Sequence, residues 1–503
     1  MKNKEIKFGA ILSYILVFAN TFYGLLLTPY ILGQIGNSEF GVYKAIGSIT
    51  ATMMILDLGI GGTIQRYIAK FRAENQKDKI NNFFAMSIVQ TFFIIICLIL
   101  LSIPIYFSIN SLYENSFTST ELIRAKQLFL LLIISVCFNV IDRVFQGVMF
   151  GHNRFIFVKW TKLSSIIIRS ILLFAVLPFY KNSITLVMIT IILDILVTIA
   201  SIFYISKKLK VKAKLTKWDK HLFIDSLGYT VAIFIQSIMT QLNLNFDNAI
   251  IGAIKGTELV TIYSFGLLVY NLFVNLSSTI SELLLPTVTN ILHSENSKEK
   301  LEKLVLKIGR IQYMLLGAAF FGFIFVGKEF IELWLGPNFK DVWVITLILM
   351  IPAIWELTTN TFLAILRAKK QLKYRTIILV IGALFNLVTT ILGVMWFGYL
   401  SAAIVTALTS LLVSIAMNIY YYKVLHINSF SIFMKIIFPI TLCFILPSFL
   451  IYLMNIIMNV SWVIFLVKVL VFCVFYALIL YFFGLNKSEK DFFFKRKGTI
   501  NNK

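Results

Sequence analysis

Long apolar runs alternate with short polar connections along the whole chain. Two of the longest uncharged runs, 92–107 and 436–460, approach or exceed the roughly 20 residues that an α-helix needs to cross a bilayer. Runs bounded by charged or turn-forming residues predict about fourteen spans. These are 8–32, 40–62, 83–108, 125–150, 161–180, 184–206, 223–252, 260–288, 308–335, 342–366, 376–397, 399–421, 434–455 and 461–484. The pattern therefore predicts an all-α polytopic membrane protein.

Lysines and arginines are distributed unevenly between the two sets of loops. Basic runs at 66–72, 207–214 and 367–370 fall in alternate loops, and about 36 of the 46 basic residues lie on that side, with about 6 on the other. Because short basic loops resist translocation, this side and both termini are predicted to be cytoplasmic. The basic N-terminus leads into an apolar run that is too long for a signal peptide, so this run is interpreted as the first span.

Composition removes several classes of function. The chain is 59% hydrophobic and 14% charged, whereas soluble proteins average about 45–50% and about 25%. The formal charge of +23 is dispersed among short loops, which argues against nucleic acid as a partner. The four cysteines lie inside apolar runs and the four histidines lack ligand-like spacing, so no metal site is predicted. With short loops and no Walker A sequence, the chain is predicted to be a transporter without a cofactor, not an enzyme.

Two short motifs recur at similar distances along the chain. Gly36–Tyr43 (GNSEFGVY) aligns with Gly256–Tyr263 (GTELVTIY), and 145–155 (FQGVMFGHNRF) aligns with 362–372 (FLAILRAKKQL). Similar offsets at equivalent places favour duplication of a six-span unit, which is the layout of alternating-access transporters. The predicted organisation is a first lobe at 1–206, a basic linker at 207–222, a second lobe at 223–422, and two further spans with a tail at 423–503.

Four basic residues are interpreted as intramembrane, where a charge costs at least about 2.5–3.5 kcal/mol. Arg169 lies near the middle of span 5, Arg143 in span 4 and Lys44 in span 2. Arginine keeps its charge when desolvated and offers bidentate donors to phosphate or carboxylate, so these three are candidate ligands of an anionic substrate. The alternatives are structural ion pairs for the arginines and snorkelling to the interface for Lys44 and Lys468.

Acidic and amide side chains complete the intramembrane set. Asp57, Asp194 and Glu356 are candidates either for binding a coupling proton or sodium ion or for neutralising a neighbouring arginine, and the sequence leaves both interpretations open. Among the amides, Asn386 occupies the place of Arg169 at the repeat offset. Such amides suit a hydroxyl-rich glycan, or they hold helices together. The candidate amides are Gln236, Gln241 and Asn386.

Five short segments are informative together. They are 27–33 (LTPYILG), 36–43 (GNSEFGVY), 56–62 (LDLGIGG), 66–67 (RY) and 245–252 (NFDNAIIG). With the length and topology of the chain, they resemble the polysaccharide-transport flippases, the Wzx-type proteins of the multidrug/oligosaccharidyl-lipid/polysaccharide exporter superfamily.

The resemblance implies two six-helix bundles around a central cavity, with two peripheral helices. It implies export of an undecaprenyl-diphosphate-linked oligosaccharide, such as an O-antigen or capsule repeat unit, from the inner to the outer leaflet of the bacterial plasma membrane. It also implies basic lumen residues that bind the diphosphate, which Arg169, Arg143 and Lys44 match in kind, and polysaccharide polymerase or assembly proteins as partners.

Three rival functions remain open at this stage. A drug/cation antiporter of the same superfamily would favour an acidic, aromatic-lined cavity and fewer spans. A membrane polysaccharide polymerase or ligase would need a substantial external loop that carries catalytic residues, and the longest predicted external loops, near 109–123 and 336–341, hold no such set. A non-transporting scaffold for glycan assembly is poorly excluded by sequence.

Overall fold

The computed structural model describes residues 2–54, 60–216, 218–220, 224, 246–281, 288, 291–292, 296–369, 371–486 and 489–490. Apart from short connections these residues are helical, and none of them lies in a β-strand. Eleven of the helices are long and apolar enough to cross a membrane. The prediction of an all-α polytopic membrane protein is therefore confirmed.

The helices are numbered in chain order within the described residues. Up to residue 281 they are α1 (Lys2–Ile35), α2 (Asn37–Met53), α3 (Ile60–Ala73), α4 (Lys77–Tyr113), α5 (Ser119–Gly151), α6 (Phe155–Val176), α7 (Ser183–Phe203, continued by a wider turn at Tyr204–Leu209), α8 (246–255) and α9 (Thr257–Ser281). From residue 297 they are α10 (Ser297–Leu335), α11 (Asp341–Thr358), α12 (Thr361–Ala368), α13 (Lys373–Phe397), α14 (Leu400–Leu425), α15 (Ser429–Ile457) and α16 (Trp462–Ile479).

Several helices begin before the span that hydropathy predicts. The predicted fourth span begins at 125, whereas α5 begins at Ser119 because Thr118 caps it. The Thr118 hydroxyl accepts a hydrogen bond from the Glu121 N–H at 3.3 Å, and the Glu121 carboxylate accepts one from the Thr118 N–H at 2.7 Å. This reciprocal capping box satisfies two amides that a helix end leaves unpaired. Hydropathy detects the lipid-facing part of such a helix and misses its polar start.

Three predicted spans are not among the eleven membrane-length helices. Span 2 corresponds to α2 and the start of α3, and positions 55–59 between them lie outside the described residues. Span 5 corresponds to α6, a helix of 22 residues that carries three basic residues. Most of span 7 also lies outside the described residues.

The chain forms two compact units. The first comprises 1–264 and 383–402, and the second comprises 265–382 and 403–503. The lobe boundaries inferred from the repeats, at 206 and 223, stay a prediction.

Small residues allow α3 and α5 of the first unit to approach closely. A Cβ atom at Gly147 would lie 2.6 Å from the Gly61 carbonyl oxygen, and one at Gly151 would lie 2.6 Å from Cγ2 of Ile68. Two glycines four residues apart on α5 form the small-residue face that membrane helices use at close crossings. At one end of this contact, Arg72 Nη1 donates a hydrogen bond to the Gly151 carbonyl oxygen at 3.1 Å.

In the second unit, α10 packs against α11, α15 and α16. Two ion pairs join α10 to the C-terminal part of the chain: Lys468 to Glu329 at 2.7 Å and Arg310 to Glu489 at 2.6 Å. Lys468 is only 1% exposed. The prediction that Lys468 snorkels to the interface is therefore wrong, because a carboxylate on α10 neutralises its charge inside the unit.

The two segments of the first repeat contact each other within the first unit. The Thr261 hydroxyl donates to the Asn37 carbonyl oxygen at 2.7 Å, and a Cβ atom at Gly41 would lie 2.0 Å from the Thr257 carbonyl oxygen. The alignment of these segments pairs Gly41 with Thr261 and Asn37 with Thr257. Each segment therefore contacts the same position of the other, which is the reciprocity expected of two-fold-related helices.

Acidic side chains bind the ends of the helices at this contact. We call this end of the first unit the Glu121 end; it contains Ser38, Glu39, Glu121, Arg124 and Thr257. The Glu121 carboxylate accepts hydrogen bonds from the hydroxyls of Ser38 and of Thr257, the latter at 2.8 Å. Nearby, Glu39 pairs with Arg124 at 3.1 Å. These bonds join α2, α5 and the start of α9.

Candidate functional site

A cavity of about 280 Å³ opens among helices of the first unit. Its lining residues recur at intervals of three or four, so each helix presents one face to it. The lining consists of Leu16 and Asn20 from α1, Phe138, Asn139, Asp142, Arg143 and Gln146 from α5, Lys162, Ser165, Ile166 and Arg169 from α6, and Asp194 and Val197 from α7. Three of the predicted site residues, Arg143, Arg169 and Asp194, are thus brought together.

The two carboxylates of this cavity are held by neutral donors. Asp194 accepts from the Ser135 hydroxyl at 2.6 Å and from Asn139 Nδ2 at 3.1 Å. Asp142 accepts from the Gln146 amide and, at 3.2 Å, from the Ser201 hydroxyl. Because hydrogen bonds to neutral groups stabilise these carboxylates, they are not fully committed to the cations beside them.

Arg169 lies in this cavity with part of its donor capacity unused. Its Nε is buried and has no hydrogen-bond partner, while the side chain is within hydrogen-bonding reach of the Tyr23 hydroxyl. The ion pairs recorded among the described residues do not include a direct bond between Arg169 and Asp194. Since leaving a buried charged donor unpaired costs free energy, the guanidinium is arranged to accept a further anionic or polar partner.

Two other predicted site residues, Lys44 and Asn386, do not line this cavity. Lys44 is half-buried on α2, and its ammonium group lies over the rings of Phe40 at 5.1 Å and Tyr43 at 5.8 Å, outside the lining of the cavity. Asn386 is buried at 4% exposure and lines neither of the two cavities described here. Three predicted site residues lie outside the described residues: Asp57, Gln236 and Gln241.

The second unit contains a smaller cavity, of about 40 Å³, at equivalent sequence positions. The alignment of 145–155 with 362–372 pairs five residues of α5 that line the first cavity with five that line the second: Phe138 with Trp355, Asn139 with Glu356, Asp142 with Thr359, Arg143 with Asn360 and Gln146 with Leu363. Lys162 and Val197 correspond in the same way to Leu379 and Ser414. Duplication of one ancestral half predicts this correspondence.

The two cavities differ in charge. The first holds three cationic side chains and two carboxylates. The second holds Glu356 and Arg375, which interact electrostatically, and Arg375 is hydrogen-bonded to the Tyr421 hydroxyl. One cation offsets one carboxylate in the second cavity, whereas the first has one more cation than carboxylates, so the first cavity is the one suited to an external anion.

Sequence reasoning missed Lys162 as a member of the site. The predicted span 5 begins at 161, which puts Lys162 at its edge, whereas α6 begins at Phe155. Lys162 therefore lies about two turns inside the helix, and it shares a face with Arg169 because seven residues make two helical turns. The polar residues at 162, 165 and 169 recur at helical spacing, and this spacing is the sequence signal that identifies Lys162 as part of the same face as Arg169.

Comparisons with known proteins agree with this architecture. A lipid II flippase, MurJ, in an inward closed conformation superposes with a TM-score of 0.70 at 19% identity, covering 95% of this chain and 97% of that one. An inward-facing multidrug resistance MATE family transporter of the MOP superfamily gives a TM-score of 0.64 at 13% identity, with 83% and 98% covered. A MOP superfamily transporter from Pyrococcus furiosus gives 0.58 at 13% identity, with 84% and 96% covered.

These likenesses show that the chain has the fold of transporters and flippases. No curated protein sequence matches the chain. Residues 8–292, more than half of its length, match the family model described as polysaccharide biosynthesis protein. The chain is therefore a multi-pass membrane member of the polysaccharide biosynthesis protein family.

Proposed function

We propose that this protein is a flippase that moves an undecaprenyl-diphosphate-linked oligosaccharide from the cytoplasmic to the outer leaflet of a bacterial plasma membrane by alternating access. The observation that carries the proposal is the cationic cavity of the first unit, with its unpartnered Arg169 Nε. A diphosphate is the part of such a substrate that needs charged donors at bilayer depth. Arginine supplies them in a geometry that matches phosphate oxygens.

In this mechanism, the side chains of the cavity divide the work of holding the headgroup. Arg169, Arg143 and Lys162 bind the diphosphate, and Asp194 and Asp142 compensate two of the three positive charges in the unloaded cavity. The isoprenoid tail stays in the lipid, because apolar chains gain nothing from entering a polar cavity. Lys44 lies outside this cavity, and we assign it a secondary role in guiding the headgroup.

The finer elements of the proposal follow from the family and from the charge distribution. The match to the polysaccharide biosynthesis protein family supports a substrate of polysaccharide synthesis. We assign that substrate to O-antigen or capsule repeat units, with a polymerase as the partner that acts next. The excess of basic residues on one side of the chain supports cytoplasmic termini. Glu356 and Asp194 are the candidates for coupling an ion to transport.

A deletion strain provides the test. Removal of the chromosomal gene, in a background without a second flippase, is expected to make lipid-linked oligosaccharide accumulate on the inner leaflet and to abolish surface polysaccharide. Complementation with wild type restores export. Arg169→Gln is expected to reduce export at least about tenfold, since a lost charge-assisted contact to phosphate is worth about 1.5–3 kcal/mol.

The matched control is Arg367→Gln, which removes an exposed arginine that lines neither cavity. We expect this variant to export normally. Undiminished surface polysaccharide in the deletion strain would contradict the flippase function itself. Full rescue by Arg169→Gln would leave the function standing and remove the first cavity from it.

A further inference from the structure

The segment 207–216, which we call the lysine segment, comprises the end of the wider turn that continues α7 and the residues after it. Its five lysines are exposed: Lys207, Lys208, Lys210, Lys212 and Lys214. The preceding helix, with its final turn, spans Ser183–Leu209 and is long and apolar enough to cross a membrane. The lysines therefore begin where that helix leaves the bilayer.

The backbone of the lysine segment is fixed to the helices beside it. The Lys212 N–H donates to Asn81 Oδ1 at 3.0 Å, and the Thr216 N–H donates to Asn82 Oδ1 at 2.8 Å. The Val211 N–H donates to the Ile205 carbonyl oxygen at 3.3 Å, and the Val211 side chain is only 6% exposed. These contacts hold the chain against the start of α4.

The backbone conformation of Lys210 also determines the path of the lysine segment. Lys210 adopts a left-handed conformation, with φ at 54°, although such a conformation is costly for any residue except glycine. After this turn the chain runs without helix through 211–216. Within this stretch the Val211 side chain is buried, whereas the side chains of Lys212 and Lys214 are exposed.

Among the described residues, the ammonium groups of this segment have no acidic partner, since none of the five lysines forms an ion pair there. The ammonium group of Lys208 lies over the ring of Tyr204, at 5.6 Å from its centroid. The basic start of α10 differs, because Lys303 pairs there with Glu299 at 2.5 Å. Exposed apolar side chains accompany the lysines: Leu215 within the segment is 50% exposed, and Trp218, two residues after it, is 40% exposed.

We propose that the lysine segment is a binding site for the phosphate headgroups of anionic phospholipids in the adjacent leaflet. The lysines supply the charge, Leu215 and Trp218 supply the apolar anchors that favour the interface, and the fixed backbone removes much of the ordering cost of binding. This inference goes beyond the proposed flippase function and does not depend on which substrate is moved.

The test uses the full-length protein in detergent, titrated with phosphatidylglycerol or phosphatidylcholine, with bound lipids counted by native mass spectrometry. The variant carries Lys208→Gln, Lys210→Gln, Lys212→Gln and Lys214→Gln. Because each lysine near an anionic surface contributes about 1 kcal/mol, we expect the affinity for phosphatidylglycerol to fall about tenfold or more. The affinity for phosphatidylcholine should not change.

A control variant removes the same number of charges from the start of α10: Lys298→Gln, Lys300→Gln, Lys303→Gln and Lys307→Gln. A second variant, Asn81→Ala with Asn82→Ala, keeps every lysine and frees the backbone, and it should bind phosphatidylglycerol more weakly than wild type. Wild-type affinity in either the lysine variant or the asparagine variant would overturn the proposal, as would an equal loss in the control. Displacement of the lipid by inorganic diphosphate at constant ionic strength would overturn the assignment to phospholipid.

Discussion

Basic residues inside predicted spans meet two different environments in this protein. Lys468 is enclosed with Glu329, so its charge is neutralised by one partner on a neighbouring helix. Arg169 instead lies in a cavity, where its Nε has no partner. A charge that is fully paired holds helices together, whereas a charge with a free donor is available to a ligand.

The Lys468–Glu329 pair gives a stability prediction. Lys468→Met leaves Glu329 buried without its cation, and breaking one half of a buried pair costs about 3–5 kcal/mol. We therefore expect a clearly lower melting temperature of the purified protein in detergent. The double variant Lys468→Met with Glu329→Gln should recover much of the loss, because no unpaired charge remains.

Lys328→Met is the control for this experiment, since Lys328 is exposed on the same helix as Glu329. Its melting temperature should match that of wild type. If the single and double variants at the pair melt at the same reduced temperature, the loss comes from packing and not from an unpaired charge.

Residue types alone could identify in-span charges but not their partners. The sequence placed Arg143, Arg169 and Asp194 on three different spans, and only the packing of those helices joins them in one cavity. Ser135 and Asn139, which hold Asp194, give no signal by themselves because serine and asparagine are common in membrane helices as packing residues. Partner choice depends on helix rotation, and hydropathy does not report rotation.

At the scale of helices, glycines mark the places where two backbones meet. Gly147→Ala introduces a Cβ atom 2.6 Å from the Gly61 carbonyl oxygen, so α3 and α5 must move apart. We expect a loss of about 1–3 kcal/mol, typical of overpacking, seen as a lower melting temperature. Gly33→Ala should not lower it, because nothing lies within 4 Å of the added atom and alanine favours helix.

The contact between α2 and α9 gives a second prediction for helices. Gly41→Val introduces a Cβ atom 2.0 Å from the Thr257 carbonyl oxygen, and a backbone atom cannot be displaced without moving its helix. We expect faster hydrogen exchange of peptides that cover 37–45 and 257–264. Gly47→Ala, on the same helix with nothing within 4 Å of the added atom, should leave exchange unchanged. Wild-type exchange in Gly41→Val would contradict the close contact.

Sequence predicted the helices well where lipid-facing residues dominate and less well at their ends. The longest deviations occur where polar sequence continues a helix: α4 begins at Lys77 and α10 at Ser297, although their predicted spans begin at 83 and 308. Packing stabilises these polar turns, because Ile80 in the first turn of α4 and Leu301 in the first turns of α10 are buried. The same effect hid Lys162, so an error at an element's end became an error in the site.

At the scale of the whole molecule, two cavities lined by corresponding positions differ in charge. Equivalent positions line a cavity in each unit, and the volumes are about 280 Å³ and 40 Å³. Arg143 and Lys162 correspond to uncharged Asn360 and Leu379. The two short motifs were sufficient to suggest the duplication, but the correspondence of cavities required the structure. Of these two cavities, the one in the first unit is suited to an anion, as expected if a duplicated half had diverged.

The orientation of the molecule in the membrane is the broadest prediction from the charge pattern. We expect the lysine segment to face the cytoplasm and the Glu121 end to face outward, because basic loops resist translocation. Two exposed positions test it: Ala213 in the lysine segment and Tyr180 after α6, at the end of the first unit where Glu39 accepts a hydrogen bond from the Ser183 N–H. Each is changed to cysteine in a chain whose four native cysteines are alanine. A membrane-impermeant thiol reagent should label Tyr180→Cys in intact cells and Ala213→Cys only after permeabilisation. The reverse pattern would invert the topology and place the lysine segment on the outer leaflet, where it would no longer meet the anionic lipid of the cytoplasmic face.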